Sequence, residues 1–315
     1  MALSTIGNSD RVTRRVEDEI FKQGRDLRGS SFRTLLFSAL AIGILILFVL
    51  IIDVLVDGWP VLNSRLGDFL SGTLREGADD PRLGISQGLV GTFWIAVSVC
   101  VLSFPVGIAA AIYLEEYAPE NFLTKAIDIA IRNLAGVPSV VYGLLGLFLF
   151  VTTNDGQSTL AAGGITLAIL VLPIVVITSA EAIRAVPSSL RQGAYGVGAT
   201  KWDVIRTQIL PFAAPGILTG TLLSLSRAVG EAAPLILVGA ITGFLGQRRG
   251  APISFDQLGD RFTAMPIVIV GWVQDARDVR FQEAAGAAIV VLLVIVIAMN
   301  SVAVLLRNYF EKKRG

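Results

Sequence analysis

Apolar runs about as long as a bilayer is thick recur along this chain, and they constrain its fold more than any other feature. A helix crossing the hydrocarbon core needs about twenty predominantly apolar residues. Runs of that order lie at roughly 34–56, 88–114, 134–151, 165–182, 212–241 and 287–306. In lipid each backbone N–H and C=O must be satisfied inside the segment, so such runs fold as helices. The chain is 53% hydrophobic and 16% charged, against about a quarter charged in an average soluble domain. The expectation is an all-α membrane protein with six transmembrane helices.

Several chemistries are excluded at once. There is no histidine, which removes histidine-based metal sites and histidine-dependent triads. The single cysteine, Cys100, lies inside an apolar run and has no partner for an intrachain disulfide. No cofactor, metal or nucleic-acid partner is expected. Residues 1–33 carry seven basic and five acidic side chains and lack the short charged start followed by an apolar stretch that marks a cleaved signal. They read as a solvated tail with a surface amphipathic helix over 12–28, and the first apolar run as a retained anchor.

Between the runs, residues 57–85 are polar and glycine-rich, which predicts a loop. Residues 115–133 predict a turn at Ala118–Pro119, then an amphipathic helix capped from the acidic stretch Glu115 to Glu120. Pro138 predicts a kink in the third span, and Gly136, Gly143 and Gly146 close packing. In the segment 242–285, Met265–Val273 is apolar but too short to cross, which predicts a re-entrant or interfacial helix. Seventeen Lys and Arg fall in the tails and in loops 115–133 and 183–211, and eight on the opposite side. The positive-inside rule then puts both termini and the 183–211 loop in the cytoplasm, and the 242–285 segment outside.

One basic residue is left over. Arg227 sits inside the fifth run, with Glu231 four residues later on the same expected helix face. An arginine near mid-bilayer costs roughly 2.5–3.5 kcal/mol on insertion scales, so it should face protein or a watery path. Two readings stay open: a self-neutralised pair that fixes packing, or charge on a solute path. Small residues flank it (Ser224, Ser226, Ala228, Gly230, Ala232, Ala233). A guanidinium fork matches a tetrahedral oxyanion, so an anion is the favoured solute.

The 183–211 loop starts a helix near Pro187 and is interrupted at Gly196 and Gly198, with Ala194, Val197, Trp202 and Ile205 offering an apolar face. By composition it is an ordinary membrane-surface loop. GVGATK lacks the Gly-Lys-Ser/Thr ending of a phosphate loop, and no Walker motif occurs. Any ATP used must be hydrolysed by another chain.

The stretch RQGAYGVGATKWDVIRTQILP resembles the cytoplasmic signature loop of ABC importer permeases: Glu-Ala-Ala, three residues, Gly, nine residues, Ile, one residue, Leu-Pro. Gln192, Gly193 and Ala194 take the first three places, Gly198 the glycine, and Leu210 and Pro211 the ending. Gln192, Gly193 and Gln208 depart from the pattern. SRAVGEAAPLIL is similar to the fifth-helix motif of PstA-type permeases of phosphate importers. LAGVPSVVYGLLGL, AMPIVIVGWV and AAGAAIVVLLVIV resemble the same family, over most of residues 86–307. Ala232-Ala233-Pro234 favours this type over its PstC-type sister, which typically has Thr-Met-Ala-Val there. Some relatives carry an arginine in the fourth span where this chain has Ile177.

The resemblance implies a type I ABC importer permease bundle over 34–311, multi-pass in a prokaryotic cytoplasmic (inner) membrane, and no catalysis of its own. Its implied partners are a PstC-type sister permease subunit, an ATPase dimer on the cytoplasmic side and a periplasmic or extracytoplasmic phosphate-binding protein. Arg227 and Glu231 would serve translocation of inorganic phosphate. Gln192, Gly193, Ala194, Gly198, Leu210 and Pro211 would serve coupling to the ATPase. The alternatives are a sulfate or molybdate permease and, from another class, an ion-coupled secondary transporter. The latter predicts inverted repeats and matched broken helices, which the sequence does not display.

Overall fold

The computed structural model describes residues 27–75, 77–243, 253–275 and 278–312. Their structure is helical, with one isolated bridge, Thr73 to Leu83, as the only extended pairing among the described residues. The tail expected at 1–33, with its helix over 12–28, falls outside them as far as residue 26.

The first helix, α1, runs Leu27–Ser71. Its residues up to Asp53 form a compact unit by themselves. Apolar side chains stand exposed all round that part, among them Leu36, Phe37, Leu40 and Leu45, as expected of a helix whose solvent is lipid. The loop expected from residue 57 does not begin there. The helix continues past Pro60 to Ser71 and leaves helical geometry only at Arg65, with φ −148° and ψ 33°. Burial accounts for the difference, because Val61 and Phe69 pack among Leu83, Ile85, Trp272 and Phe281.

The second unit, from Val54 onward, contains the remaining helices. Helix α2, Ser86–Ile112, is extended by a π-helical turn, Tyr113–Tyr117. Helix α3, Phe122–Ala135, is capped by Asn121, whose side-chain oxygen accepts the Thr124 N–H at 2.9 Å. The acidic stretch expected to cap it is used elsewhere, with Glu115 and Glu116 in the π turn. A sharp corner follows. Pro138 lacks an N–H and pushes its predecessor out of the helical region, so the chain bends by 97° into α4, Ser139–Gly146, which a second π turn carries to Val151. The expected third span at 134–151 is therefore a broken pair. Among the described residues five helices are long and apolar enough to cross a membrane, and six crossings result if this pair counts as one.

Helix α5, Leu160–Arg184, is started by the Thr159 side chain, which accepts the Ala162 N–H. Two short helices follow, α6, Ser188–Gly196, and α7, Lys201–Val204. A π turn, Ile205–Ile209, feeds α8, Leu210–Gly230. The fifth span, expected unbroken over 212–241, stops at Gly230. Glu231 is extended, with φ −81° and ψ 118°, and a short α9, Ala233–Leu237, resumes with Pro234 in its first turn. Helix α10 is Met265–Val273, buried along most of its length, and α11 is Val279–Lys312.

The core centres on α2 against α5, with α8 packed on α5 and α11 on α8. Backbones touch at two crossings. A Cβ on Gly58 would lie 2.6 Å from the Ala287 nitrogen, and one on Gly286 2.8 Å from the Gly58 nitrogen. Near the start of α2, a Cβ on Gly91 would overlap the Thr263 carbonyl oxygen. Gly143 packs against Pro234 and Gly146 against Thr166, as the sequence predicts, whereas Gly136 meets only its own turn.

Candidate functional site

Arg227 occupies the last turn of α8, where the helix's unsatisfied carbonyls favour a cation. Its neighbours Ser224, Leu225, Ser226, Ala228 and Val229 are buried. Ser226 donates to Leu222 O at 3.0 Å and bonds Asn300 of α11 at 2.7 Å. The remaining face of the turn, Leu223, Arg227 and Gly230, is exposed. Arg227 is 59% exposed, and its Nε lies 3.4 Å from the Glu231 carboxylate, itself 20% exposed. The structure thus joins the two residues predicted as a pair, but not along one helix face. Glu231 follows the last helical residue and reaches back across the break. The guanidinium's two terminal nitrogens make no hydrogen bond among the described residues, and the Cβ position of nearby Gly230 in the same turn is open. This arrangement can offer a two-pronged donor to an oxyanion.

The loop forms a second cluster at the end where α2 finishes and α5 passes to α8. Gln192 and Gly193 are exposed on α6, while Ala194 packs on the cluster around Ile205, Ile209 and Ile183. Gly198 turns the chain at φ +86°, a conformation L side chains rarely adopt. Leu210 and Pro211 open α8. Thr200 and Asp203 form a reciprocal capping box at α7, in which Thr200 Oγ1 accepts the Asp203 N–H and the Asp203 carboxylate accepts the Thr200 N–H. The apolar face expected from Ala194, Val197, Trp202 and Ile205 is split. Ile205 is fully buried, but Val197 is 87% and Trp202 54% exposed. They stand out of the loop with Tyr195, an uncommon display for a polar segment.

Sequence reasoning missed the bonds that hold this loop. Arg184 forms a two-pronged pair with Glu115, at 2.5 and 3.2 Å. Arg191 donates to Glu116 at 3.0 Å and to the carbonyls of Ile183 and Val186 at 2.9 and 3.3 Å. The Lys201 ammonium lies 4.9 Å from the centre of the Tyr117 ring. Among the described residues no group of His, Cys, Asp and Glu could hold a metal ion.

A helical bundle of this kind, with a helical loop set between two of its long helices, is found in solved ABC transporters. A bacterial ABC transporter involved in the import of the acidic polysaccharide alginate has the same fold, with TM-score 0.55 over 88% of this chain and 98% of that one, at 16% identity. The chain belongs to the family described as binding-protein-dependent transport system inner membrane component, whose profile matches residues 103–315. Within it, the chain is 31% identical over 294 residues to phosphate transport system permease protein PstA 1 of Mycobacterium tuberculosis, covering 92% of each. It is 30% identical over 254 residues to a probable phosphate transport system permease protein PstA of Methanocaldococcus jannaschii, covering 80% of this chain and 84% of that one. It is a PstA-type, multi-pass membrane permease.

Proposed function

We propose that this chain is the subunit that forms, with a PstC-type sister, the path of inorganic phosphate through an ATP-driven importer of a prokaryotic cytoplasmic membrane. The observation that carries the reading is Arg227: a cation at the end of a helix buried on its other sides, on a face the described residues leave exposed. A sister subunit closing over that face makes a passage with a guanidinium in its wall. There the two terminal nitrogens bind oxygens of a phosphate, while Glu231, paired at Nε, keeps a negative charge beside them. A site that conducts must hold its solute weakly enough to release it, and the adjacent carboxylate provides that weakening.

The basic loops lie on the cytoplasmic side, as the distribution of Lys and Arg supports. An ATPase dimer grips the 183–211 loop there, with Gln192, Gly193, Ala194 and Gly198 near the grip and Leu210–Pro211 passing its motion into α8. The exposed Val197 and Trp202 suit a groove on that partner. A binding protein outside delivers phosphate to the opposite mouth.

The test is ATP-dependent uptake of labelled phosphate by vesicles holding all four kinds of subunit, with sulfate and molybdate as competitors. Arg227→Gln is expected to reduce uptake about a hundredfold, the value of a charge-assisted pair, while the subunits still copurify. Normal uptake by the variant at normal assembly would refute the role. Uptake of sulfate in preference to phosphate would transfer the reading to another oxyanion.

A further inference from the structure

We propose that the Glu115–Glu116–Tyr117 end of α2 is where motion of the 188–211 loop enters the bundle, with Glu116 and Arg191 as its positioning pair. This rests on the reading that an ATPase grips that loop. Three cations from three successive elements converge on these residues: Arg184 from α5, Arg191 from α6 and Lys201 from α7. The Glu116 side chain is only 9% exposed and that of Arg191 26%, so solvent and salt screen the pair weakly. Arg191 also holds the carbonyls of Ile183 and Val186. A shift of α6 therefore either carries the end of α2 with it or breaks several charge-assisted bonds at once.

From Tyr117, the helix runs back to Ser86 without a break, a rod of about 45 Å. At its other end it grips a different segment. Thr92 Oγ1 accepts the Met265 N–H at 2.9 Å, Trp94 Nε1 donates to Gln257 at 3.0 Å, and Gly91 lies flat against Thr263. Each end of α2 is thus fixed by directional bonds to a separate loop system. The obvious route from the loop leads into α8, which continues it in sequence. The ion pairs supply a second route, through α2 to the segment around residues 257–265 at the far mouth.

The test measures phosphate imported per ATP hydrolysed in vesicles holding the complete complex. Glu116→Gln keeps an acceptor for Arg191 and removes the charge. The ratio is expected to fall about fivefold or more, with ATP hydrolysis maintained and the subunits still copurifying. Glu115→Arg and Arg184→Glu are each expected to lower the ratio, and the two together to regain about half of the loss or more. An unchanged ratio in Glu116→Gln, no recovery in the paired exchange, or loss of the assembled complex in Glu116→Gln would overturn the proposal. Parent complexes that hydrolyse ATP without importing phosphate would instead overturn the functional reading on which it rests.

Discussion

The two charged regions of this molecule are built in opposite ways. Around the loop, Arg184 and Arg191 find their carboxylates on α2, in a part of the chain 69 and 75 residues away, and Arg191 satisfies two backbone carbonyls besides. At the end of α8, Arg227 has, among the described residues, only its neighbour Glu231, at 3.4 Å, and stays 59% exposed. In the first region both arginines are paired to carboxylates within the chain, so its charges hold the fold together. The second has a single long contact and an exposed guanidinium, and the proposed function assigns its donors to a solute outside the chain. Charge near a membrane can thus serve architecture or traffic, and the number of partners it has within its own chain separates the two.

The sharpest way to break that contrast is to remove one arginine from each region. Arg191→Ala strips a mostly buried Glu116 of its cation, and such a loss costs about 3 kcal/mol or more. The expected result is a marked fall in the melting temperature of the detergent-purified protein. Arg227→Ala is expected to leave that temperature nearly unchanged, since surface changes stay within about 0.5 kcal/mol. Equal destabilisation by the two would end the distinction.

A finer version keeps the charge and changes only its shape. Arg227→Lys loses the fork, and uptake is expected to fall about tenfold, the worth of one lost charge-assisted bond, with stability again intact. Uptake at the parent rate would show that a point charge suffices. On the loop, Ala194→Asp places a carboxylate at the edge of the cluster around Ile205. Its expected effect is ATP hydrolysis without matching transport, seen as a several-fold drop in phosphate moved per ATP. A modest effect belongs to Ser226→Ala, which removes the bond to Asn300 and is expected to cost about 1 kcal/mol, measured by thermal unfolding.

Much of this was legible in the sequence because lipid demands long apolar helices, and the runs beginning near 88, 165 and 287 each lie within an observed helix, the first counted with its π turn. The short helix at Met265–Val273 was bounded by its length alone. The breaks were harder. Composition across 212–241 stays apolar, and nothing in VGEAAP distinguishes a kink from a halt, because Gly and Pro are tolerated in membrane helices. The helix past Pro60 was hidden for the opposite reason: a loop-like local sequence is overruled by the burial of Val61 and Phe69. At the site, the nearness of Arg227 and Glu231 followed from their spacing, though the geometry of the pair did not. The ion pairs of the loop left no trace at all. Partners so far apart in the chain have no periodicity to betray them, and Glu115 and Glu116 look like an ordinary acidic turn.

The crossing of Gly58 with Gly286 has a bearing on how such a chain can change over generations. A side chain at either place would strike main-chain atoms, and these cannot be trimmed by a substitution elsewhere. Repair by a second mutation is therefore closed at this joint. Hybrids made by exchanging the amino-terminal portion with that of a relative should keep the joint only when both bare positions are inherited together.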